Sequence, residues 1–301
     1  MYSELLSELA AELKCKPKQG VLGRDLSTFC IGGPVDCLFE PNSEQELLAL
    51  LRAARSAGQA VKILGAGSNL LISDQGVQDC VLRLGRGFRY CKALGDDRFE
   101  VGASSALMSL SRDLSEQGYS GLEFAGGIPA SFGGALRMNA GAHGGQIWER
   151  LERVRFVSPE EEIQDLPVSE LSYAYRHCSL PAEAVILGGV LKLKAGLVDE
   201  CSAQRARFLT ERKERQPLTV PCAGSVFKNP KPDLSAGMLI ERAGLKGRTY
   251  GGAEISSKHA NWIVNPKREA KAADVRALVE LCVSTVEKEQ GISLEREIIY
   301  W

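Results

Sequence analysis

The stretch AVKILGAGSNLLIS, residues 60–73, places a glycine loop directly after a short apolar run that predicts a buried strand. The loop resembles the GxGxxG pattern, in which a third glycine lets a helix pack against the strand. Leu70 stands at that third position, and LLIS predicts another short strand instead of the required helix. The stretch therefore disfavours a Rossmann fold, although its backbone N–H groups and the side chains of Ser68 and Asn69 suit phosphate oxygens.

A second glycine-rich stretch, GGIPASFGGALRMNAGAHGG, covers residues 126–145 and contains seven glycines. Such a density indicates backbone conformations or close approaches that a Cβ atom would prevent. A flexible surface loop is the alternative, but FGGALRMNAGA mixes apolar and small residues as a buried segment does. Two loops of this kind on separate strand units suit a large cofactor with two phosphates, held along its length.

The patterns around these loops predict a chain of mixed α and β structure. Ser43 and Glu46 have capping-box spacing before a leucine-rich helix that Gly58 ends. Residues 27–41, STFCIGGPVDCLFEP, predict a short strand pair around a Gly-Gly-Pro turn. Residues 199–216 predict a charged helix that bridges into a different unit, since proline follows it.

Length and charge limit the classes of function. A chain of 301 residues exceeds the usual size of one core, so we expect more than one domain. The 37 basic and 38 acidic residues give a net charge of -1, without the basic field that nucleic-acid binding uses. No apolar run approaches the roughly 20 residues that span a bilayer, and residues 1–20 predict an amphipathic acidic helix rather than a signal peptide. We expect a cytoplasmic protein with no nucleic-acid or membrane partner.

The cysteines and histidines do not form a recognisable site in the sequence. Nine cysteines are scattered without a CxxC pair, as small buried hydrophobic residues in a reducing compartment would be. The three histidines are far apart, and no cluster has metal-ligand spacing. We expect no metal.

Eight motifs follow one another in an order that is specific as a set. They are TFCIGGPVD, LGAGSNLLISD, GIPASFGGALRMNAGAHG, YAYRHCSL, QPLTVPCAGSVFKNP, AGMLIERAGLKG, GAEISSKHANWIVN and LEREI. The ordered set resembles the UDP-N-acetylenolpyruvoylglucosamine reductase family, flavoenzymes of peptidoglycan precursor synthesis. The chain passes from YAYRHCSL directly to the next predicted strand, which leaves little room for the extra tyrosine-bearing loop of one branch of the family. It therefore resembles the shorter, second type of the family.

The resemblance implies an α+β protein with an FAD-binding fold of the vanillyl-alcohol-oxidase type. Its two FAD-binding subdomains would cover residues 1–80 and 81–197, and an α+β substrate domain would cover residues 198–296. The C-terminal strand, residues 297–301, would return to the first subdomain. The resemblance also implies that NADPH reduces the flavin, leaves, and is replaced by the enolpyruvyl nucleotide sugar. We expect a monomer.

The resemblance implies three catalytic residues. After hydride reaches the β carbon of the substrate, Ser225 would give a proton to the α carbon, because a neutral hydroxyl can donate without burying another charge. Arg176 would pair with the substrate carboxylate, although a surface arginine is the ordinary alternative. Glu297 would hold the enol form. Glu295 shares a strand face with Glu297, so the sequence leaves their register open, and we predict Glu297.

The remaining site residues are also assigned by the resemblance. For FAD they are Gly65, Gly67, Ser68, Asn69 and Leu70 in the first loop, and Pro129, Ser131, Gly133, Gly134, Asn139 and Gly141 in the second. For the nucleotide sugar they are Lys228, Asn229, Lys258 and His259. A solvated surface charge is the commoner role of a lysine.

Two other functions use the same patterns. A sugar or alcohol oxidase on this flavin domain would pass electrons to oxygen and would consume substrate without NADPH. A non-catalytic nucleotide-sugar binding protein would purify colourless, without tightly bound flavin.

Overall fold

The computed structural model describes residues 15–301, so the helix predicted at the start of the chain lies, up to residue 14, outside the described residues. The α-helices of the described part are Glu44–Ser56 (α1), Leu107–Ser115 (α2), Phe132–Arg137 (α3), Val198–Arg215 (α4), Ala236–Arg242 (α5) and Ala272–Gln290 (α6). The first ten strands are Val21–Leu22 (β1), Pro34–Phe39 (β2), Val61–Ile63 (β3), Leu70–Leu71 (β4), Val77–Leu82 (β5), Cys91–Gly95 (β6), Arg98–Gly102 (β7), Tyr119–Ser120 (β8), Gly141–Ala142 (β9) and Gly145–Gln146 (β10). The others are Leu151–Val157 (β11), Ile163–Pro167 (β12), Tyr173–Ala174 (β13), His177–Cys178 (β14), Val185–Lys192 (β15), Lys194–Ala195 (β16), Thr249–Tyr250 (β17), Ala253–Ile255 (β18), Ile263–Val264 (β19) and Ile299–Tyr300 (β20).

The chain forms two compact units, each assembled from separate segments. Among the described residues, the first unit comprises residues 15–18, Cys37–Ala66 and Asp79–Glu211. The second unit comprises Gln19–Asp36, Gly67–Gln78 and Arg212–Trp301. The first glycine loop is therefore divided between them after Ala66.

The first unit is built on a five-stranded antiparallel sheet in the order β12-β11-β15-β7-β6. Helix α3, which begins within the second glycine loop, buries Phe132 and Leu136 completely in the core. Its start is hydrogen-bonded to the loop after β7, because the Phe132 N–H donates to Ser105 O (2.8 Å) and the Gly133 N–H to Ala103 O (2.9 Å). The second loop thus packs against the core and is not a flexible surface loop.

Helix α1 and strand β3 lead into the first glycine loop within the same unit. Ser43 Oγ accepts the Glu46 N–H at 3.2 Å, Leu47 and Leu50 are buried, and Gly58 after the helix has φ +64°. Strand β3 pairs in parallel with β5. The predicted helix and the predicted strand before the loop are both confirmed.

The second unit has its core between helix α6 and the three-stranded antiparallel sheet β17-β18-β19. Val275 and Leu278 of α6 pack in one cluster with Phe29 and Leu71 from the N-terminal part of the chain. Burial of these apolar side chains, at roughly 25 cal/mol per Å², explains why distant segments join one unit.

Two strand pairings connect the N-terminal segments of the second unit, one to the C-terminal strand β20 and one to each other. Strand β20 pairs in parallel with β4, with Ile299 opposite Leu70, so the predicted strand LLIS is confirmed. Strand β2 pairs with β1, with Val21 opposite Val35, while residues 26–33 form no strand. The predicted strand pair around the Gly-Gly-Pro turn is therefore wrong, because the partner of β2 comes from before that segment.

The boundaries of the two compact units differ from the predicted domain boundaries. Residues 19–36 and 67–78 join the C-terminal residues because their apolar side chains complete that core. The C-terminal strand pairs with Leu70–Leu71, inside the range 1–80. The assignment of FAD-binding and substrate-binding subdomains to residues 1–80, 81–197 and 198–296 stays a prediction.

Candidate active site

The two glycine loops meet inside the first unit. A Cβ atom at Gly65 would lie 2.7 Å from Ser131 Oγ and 3.8 Å from Gly134 Cα. Ser131 Oγ also accepts the Gly134 N–H at 3.2 Å, which fixes the hydroxyl between the loops. The loops therefore share a space that any side chain at position 65 would fill, as a cradle for a closely approaching ligand requires.

The other predicted residues of the second loop have different environments. A Cβ atom at Gly133 would lie 2.9 Å from Ala103 Cβ, and one at Gly141 would lie 2.6 Å from Gly145 O. Packing within the chain thus explains these two glycines by itself. Pro129 is exposed.

Asn139 is buried at 1% exposure, and its side chain is used within the first unit. Its Nδ2 donates to Ala174 O and to Gln146 Oε1, each at 2.8 Å, and its Oδ1 accepts the Trp148 N–H at 3.4 Å. Ala174 belongs to the β13–β14 hairpin. The Asn139 side chain therefore holds this hairpin, and a cofactor contact from Asn139 would come from its backbone.

Arg176 lies at the turn of that hairpin, between Ala174 and His177, which are paired. It has φ +56°, a conformation that few residues other than glycine adopt, and it is half-buried. The guanidinium carbon lies 4.9 Å from the ring centroid of Tyr175. Both the turn and the Asn139 contact fix the direction in which the chain presents Arg176.

The rest of the first loop belongs to the second unit. Gly67 has φ +67°, and a Cβ atom there would lie 1.9 Å from Leu26 O, so only glycine fits. Leu70 is buried in β4, and Ser68 is half-buried. Asn69 Nδ2 donates to Glu297 O at 3.1 Å, and Asn69 O accepts the Ile299 N–H at 3.0 Å. A predicted cofactor residue, Asn69, thus contacts the main chain of a predicted catalytic residue.

Ser225 and Glu297 lie on two paired segments of the second unit. The Glu297 N–H donates to Val226 O at 2.8 Å, one residue after Ser225. Phe227 forms a bridge with Arg296, and both Ser225 and Glu297 are half-buried. The structure therefore brings these two residues close along the backbone. Arg176 belongs to the first unit, and its convergence with them stays a prediction.

Lys228 and Glu295 form an ion pair at the end of the same two segments. Lys228 Nζ lies 2.5 Å from Glu295 Oε1, and the Lys228 N–H donates to Glu295 O at 2.9 Å. The Glu295 side chain is 72% exposed. The Glu295 side chain thus lies largely in solvent beside Lys228, whereas Glu297 is half-buried; the choice of Glu297 stays a prediction.

The other predicted substrate residues are held by the chain of the second unit. Asn229 Oδ1 accepts the Ala236 N–H at 3.1 Å, at the start of α5. Lys258 Nζ donates to Lys213 O at 2.5 Å. His259 Nδ1 accepts the Asn261 N–H at 3.2 Å, so its proton lies on Nε2.

Burial lowers the pKa of His259, and the charge of Lys246 lowers it further. The imidazole is therefore neutral at pH 7, since an unperturbed histidine has a pKa of about 6.5.

Asn261, two residues later, is a functional candidate that the motifs do not indicate. Its position inside the apolar run ANWIV was the signal, because a buried amide must find partners.

No group of three or more metal-binding side chains occurs within residues 15–301. None of the helices in that range combines the length and apolar character needed to cross a membrane. None of the nine cysteines, which all lie within residues 15–301, forms a disulfide, and seven of them are buried.

Comparison with known proteins gives two domain models that match the chain. The FAD binding domain matches residues 34–167, and the C-terminal domain of UDP-N-acetylenolpyruvoylglucosamine reductase matches residues 216–301. A reductase of that name from Heliobacterium modesticaldum is 42% identical over 273 residues, which are 90% of this chain and 86% of the relative. The chain belongs to the UDP-N-acetylenolpyruvoylglucosamine reductase family. The family resemblance of the motifs is confirmed.

Other relatives agree with this family. The UDP-N-acetylenolpyruvoylglucosamine reductase of Anoxybacillus flavithermus is 39% identical over 90% of both chains. The crystal structure of the family member from Thermus caldophilus has a TM-score of 0.83 and 36% identity, and covers 95% of this chain and 99% of its own. BBE-like 1 from Physcomitrella patens, at 14% identity, covers 63% of this chain and 44% of its own with a TM-score of 0.51. That likeness concerns the fold alone, and it confirms the predicted FAD-binding fold.

The protein is thus an FAD-binding oxidoreductase of this reductase family, and its residues fit the cofactor. Gly65, Ser131 and Gly134, which surround the shared space, all lie within residues 34–167, the range that the FAD binding domain matches. Backbone at these glycines can approach phosphate oxygens without interference from a side chain.

Proposed function

We propose that this chain reduces the enolpyruvyl ether of UDP-N-acetylglucosamine to UDP-N-acetylmuramate with NADPH, in the synthesis of peptidoglycan precursors. Family membership supports the proposal, since relatives over 90% of the chain carry the name of this reductase. The observation that carries the mechanism is the hydrogen bond of 2.8 Å from the Glu297 N–H to Val226 O, next to Ser225.

Bound FAD would supply the redox chemistry, which is the transfer of hydride from NADPH to the β carbon of the enolpyruvyl double bond. Ser225 then donates its hydroxyl proton to the α carbon, which completes the saturation of the double bond. A hydroxyl suits this position because it is neutral and half-buried beside the apolar residues Val226 and Phe227.

Two side chains stabilise the negative charge that develops on the substrate carboxylate. Arg176 presents a planar guanidinium, which can hold a carboxylate by two parallel hydrogen bonds. Glu297 donates a hydrogen bond from its carboxyl group and so holds the enol form. The backbone contacts of Glu297 with Val226 and Asn69 support this role, because they fix the segment that carries the carboxyl group.

Lys228, Asn229, Lys258 and His259 bind the nucleotide sugar in this proposal. Lys228 already holds an anion, the Glu295 carboxylate at 2.5 Å. A substrate phosphate at Lys228 would therefore replace one anionic partner by another. We also propose a monomer that works in the cytoplasm, without a nucleic-acid or membrane partner, in accord with its net charge of -1.

Rapid mixing without oxygen tests the proposed function. NADPH should bleach the flavin absorbance of the purified protein, and the enolpyruvyl nucleotide sugar should then restore it with formation of the saturated product. Oxygen-dependent turnover of a sugar or alcohol without NADPH would instead identify an oxidase. Protein that neither retains nor binds FAD, yet binds the nucleotide sugar, would be a binding protein.

A further inference from the structure

The main chain around Ser225 is held on two sides by different segments of the second unit. On one side, Val226 O accepts the Glu297 N–H and Glu295 O accepts the Lys228 N–H, at 2.8 and 2.9 Å. On the other side stands a single residue, Asn261, whose main-chain oxygen accepts the Val226 N–H at 2.9 Å.

The side chain of Asn261 adds a second contact, which brackets one residue, Phe227. Its Oδ1 accepts the Phe227 N–H at 2.9 Å, and its Nδ2 donates to Phe227 O at 2.8 Å. An amide side chain here takes the place that a neighbouring strand would have. Both polar groups of Phe227 are thus satisfied by one residue.

This bracket is buried, so water cannot take its place. Asn261 is 3% exposed, and Val226 and Phe227 are each 1% exposed. Without the amide, the N–H and C=O of Phe227 would lack partners in an apolar environment, and the peptide would have to move to find others.

Upstream of Ser225 the nearest hydrogen-bonded anchor is Cys222, whose N–H donates to Thr28 O (3.1 Å) and whose O accepts from Thr28 Oγ1 (2.6 Å). Gly224 has φ +75°, and no atom lies within 4 Å of the position that a Cβ atom would occupy there. Val226 and Phe227, which Asn261 holds, directly follow Ser225 and are therefore closer to it along the chain than the upstream anchor at Cys222.

Asn261 is itself fixed. Its N–H donates to His259 Nδ1 at 3.2 Å, and the Trp262 N–H donates to His259 O at 3.0 Å. The turn at residues 259–262 therefore orients the amide before any ligand binds. We infer that Asn261 is a positioning residue for the proton donor: its side chain clamps Phe227 and thereby sets where the Ser225 hydroxyl lies. This inference depends on the role proposed for Ser225.

The test measures the two half-reactions of the FAD-loaded enzyme separately. Asn261→Ala should slow the reoxidation of the reduced flavin by the enolpyruvyl nucleotide sugar by about 10- to 100-fold, the loss expected from a misplaced reacting group. Flavin reduction by NADPH should stay within about twofold, because it needs no proton from Ser225. The solvent isotope effect on reoxidation should rise as proton transfer becomes rate-limiting.

Asn265→Ala is the matched control. Asn265 is a fully buried asparagine of the same unit, which donates to Phe29 O (3.1 Å) and accepts the Ala270 N–H (3.0 Å). It should lose a similar amount of stability without a selective loss of reoxidation. Should Asn261→Ala fail to fold, Asn261→Asp keeps the acceptor for Phe227 N–H, loses the donor, and should show the same selectivity for the second half-reaction.

A combined variant separates this inference from the proposed function. In a Ser225→Ala background, Asn261→Ala should slow reoxidation by less than about threefold more, because a positioning residue has nothing left to position. If Ser225→Ala alone leaves reoxidation unchanged, the role of Ser225 is wrong and the inference falls with it. If Ser225→Ala is slow while Asn261→Ala behaves as Asn265→Ala does, only the positioning role is overturned.

Discussion

Gly65 and Ser131 lie so close that a Cβ atom on the glycine would stand 2.7 Å from the serine Oγ. The two residues are 66 positions apart by their numbers, and each belongs to a different glycine loop of the first unit. Their contact explains why two loops that look independent in the sequence can serve one cofactor.

Gly65→Ala should weaken FAD binding by about tenfold or more, because an overpacked contact costs about 1–3 kcal/mol. The added methyl group would displace Ser131 Oγ from Gly134 and enter the space shared by the loops. Titration of the apoprotein with FAD, followed by flavin fluorescence, measures the change.

Gly196→Ala serves as the control for this prediction. A Cβ atom there would meet Cys201 Sγ at 3.4 Å, an ordinary contact, so FAD binding should not change. Equal affinity of Gly65→Ala and Gly196→Ala for FAD would show that the shared space is not a cofactor site.

Ser225→Ala should slow reoxidation of the reduced flavin by the enolpyruvyl substrate by about 10²–10⁴-fold, the usual contribution of a positioned proton donor. Flavin reduction by NADPH should remain near normal, since hydride transfer to the flavin uses no proton from this residue. Stopped-flow absorbance of each half-reaction under anaerobic conditions checks the prediction. Equal losses in both half-reactions would exclude the assigned role.

Glu297→Gln and Glu295→Gln form a matched pair on one segment. We expect Glu297→Gln to lower the turnover number by about 10²–10³-fold, as for the removal of a group that stabilises developing charge. Glu295→Gln should leave turnover within about threefold, because its side chain is 72% exposed and its partner is Lys228. Steady-state kinetics with saturating NADPH measures both. The reverse order of effects would assign the chemistry to Glu295.

His259 should make the second unit less stable in acid. Its pKa is lowered chiefly by burial and then by the charge of Lys246, while the charge of Glu241 acts in the opposite direction. The unfolded chain therefore binds a proton more readily than the folded chain, so the free energy of unfolding falls as pH drops below about 6.5. Protonation would also put a second donor opposite the Asn261 N–H, in place of the Nδ1 acceptor.

Urea denaturation at pH 7.5 and 5.5 measures this effect. His259→Asn keeps an acceptor near Nδ1 but does not titrate, so its urea midpoint should fall less between the two pH values than that of the unchanged protein. Identical pH dependence of the two proteins would count against His259 as the source.

Local signals in the sequence predicted much of the fold correctly. Ser43, Glu46 and Gly58 define helix α1 by contacts within a few residues, and the structure contains those contacts. The strand pair predicted around Gly33 was wrong because the conformation of this segment depends on residues far away in the sequence. A Cβ atom at Gly33 would lie 2.2 Å from Asp74 O, so the chain there is shaped by residues more than 40 positions away.

The site shows the same limit. The motifs named Ser225 and Glu297, and the structure adds a difference in burial: Glu295 is 72% exposed, whereas Glu297 is half-buried. Asn139 illustrates another limit, since the sequence does not show that its side chain holds Ala174, while its assignment to the cofactor stays a prediction. The sequence does not indicate a role for Asn261, because its hydrogen-bond partner, Phe227, lies 34 positions earlier.

The parallel pairing of β4 with β20 has a consequence for synthesis on the ribosome. Leu71 O accepts the Trp301 N–H at 3.0 Å, and the Ser73 N–H donates to Trp301 O at 2.8 Å. Residues 70–73 therefore cannot form these hydrogen bonds until residues 299–301 have emerged from the ribosome. Contacts of such long sequence separation are slow to form, so we expect the pairing of β4 with β20 to form only after residues 299–301 have been synthesised.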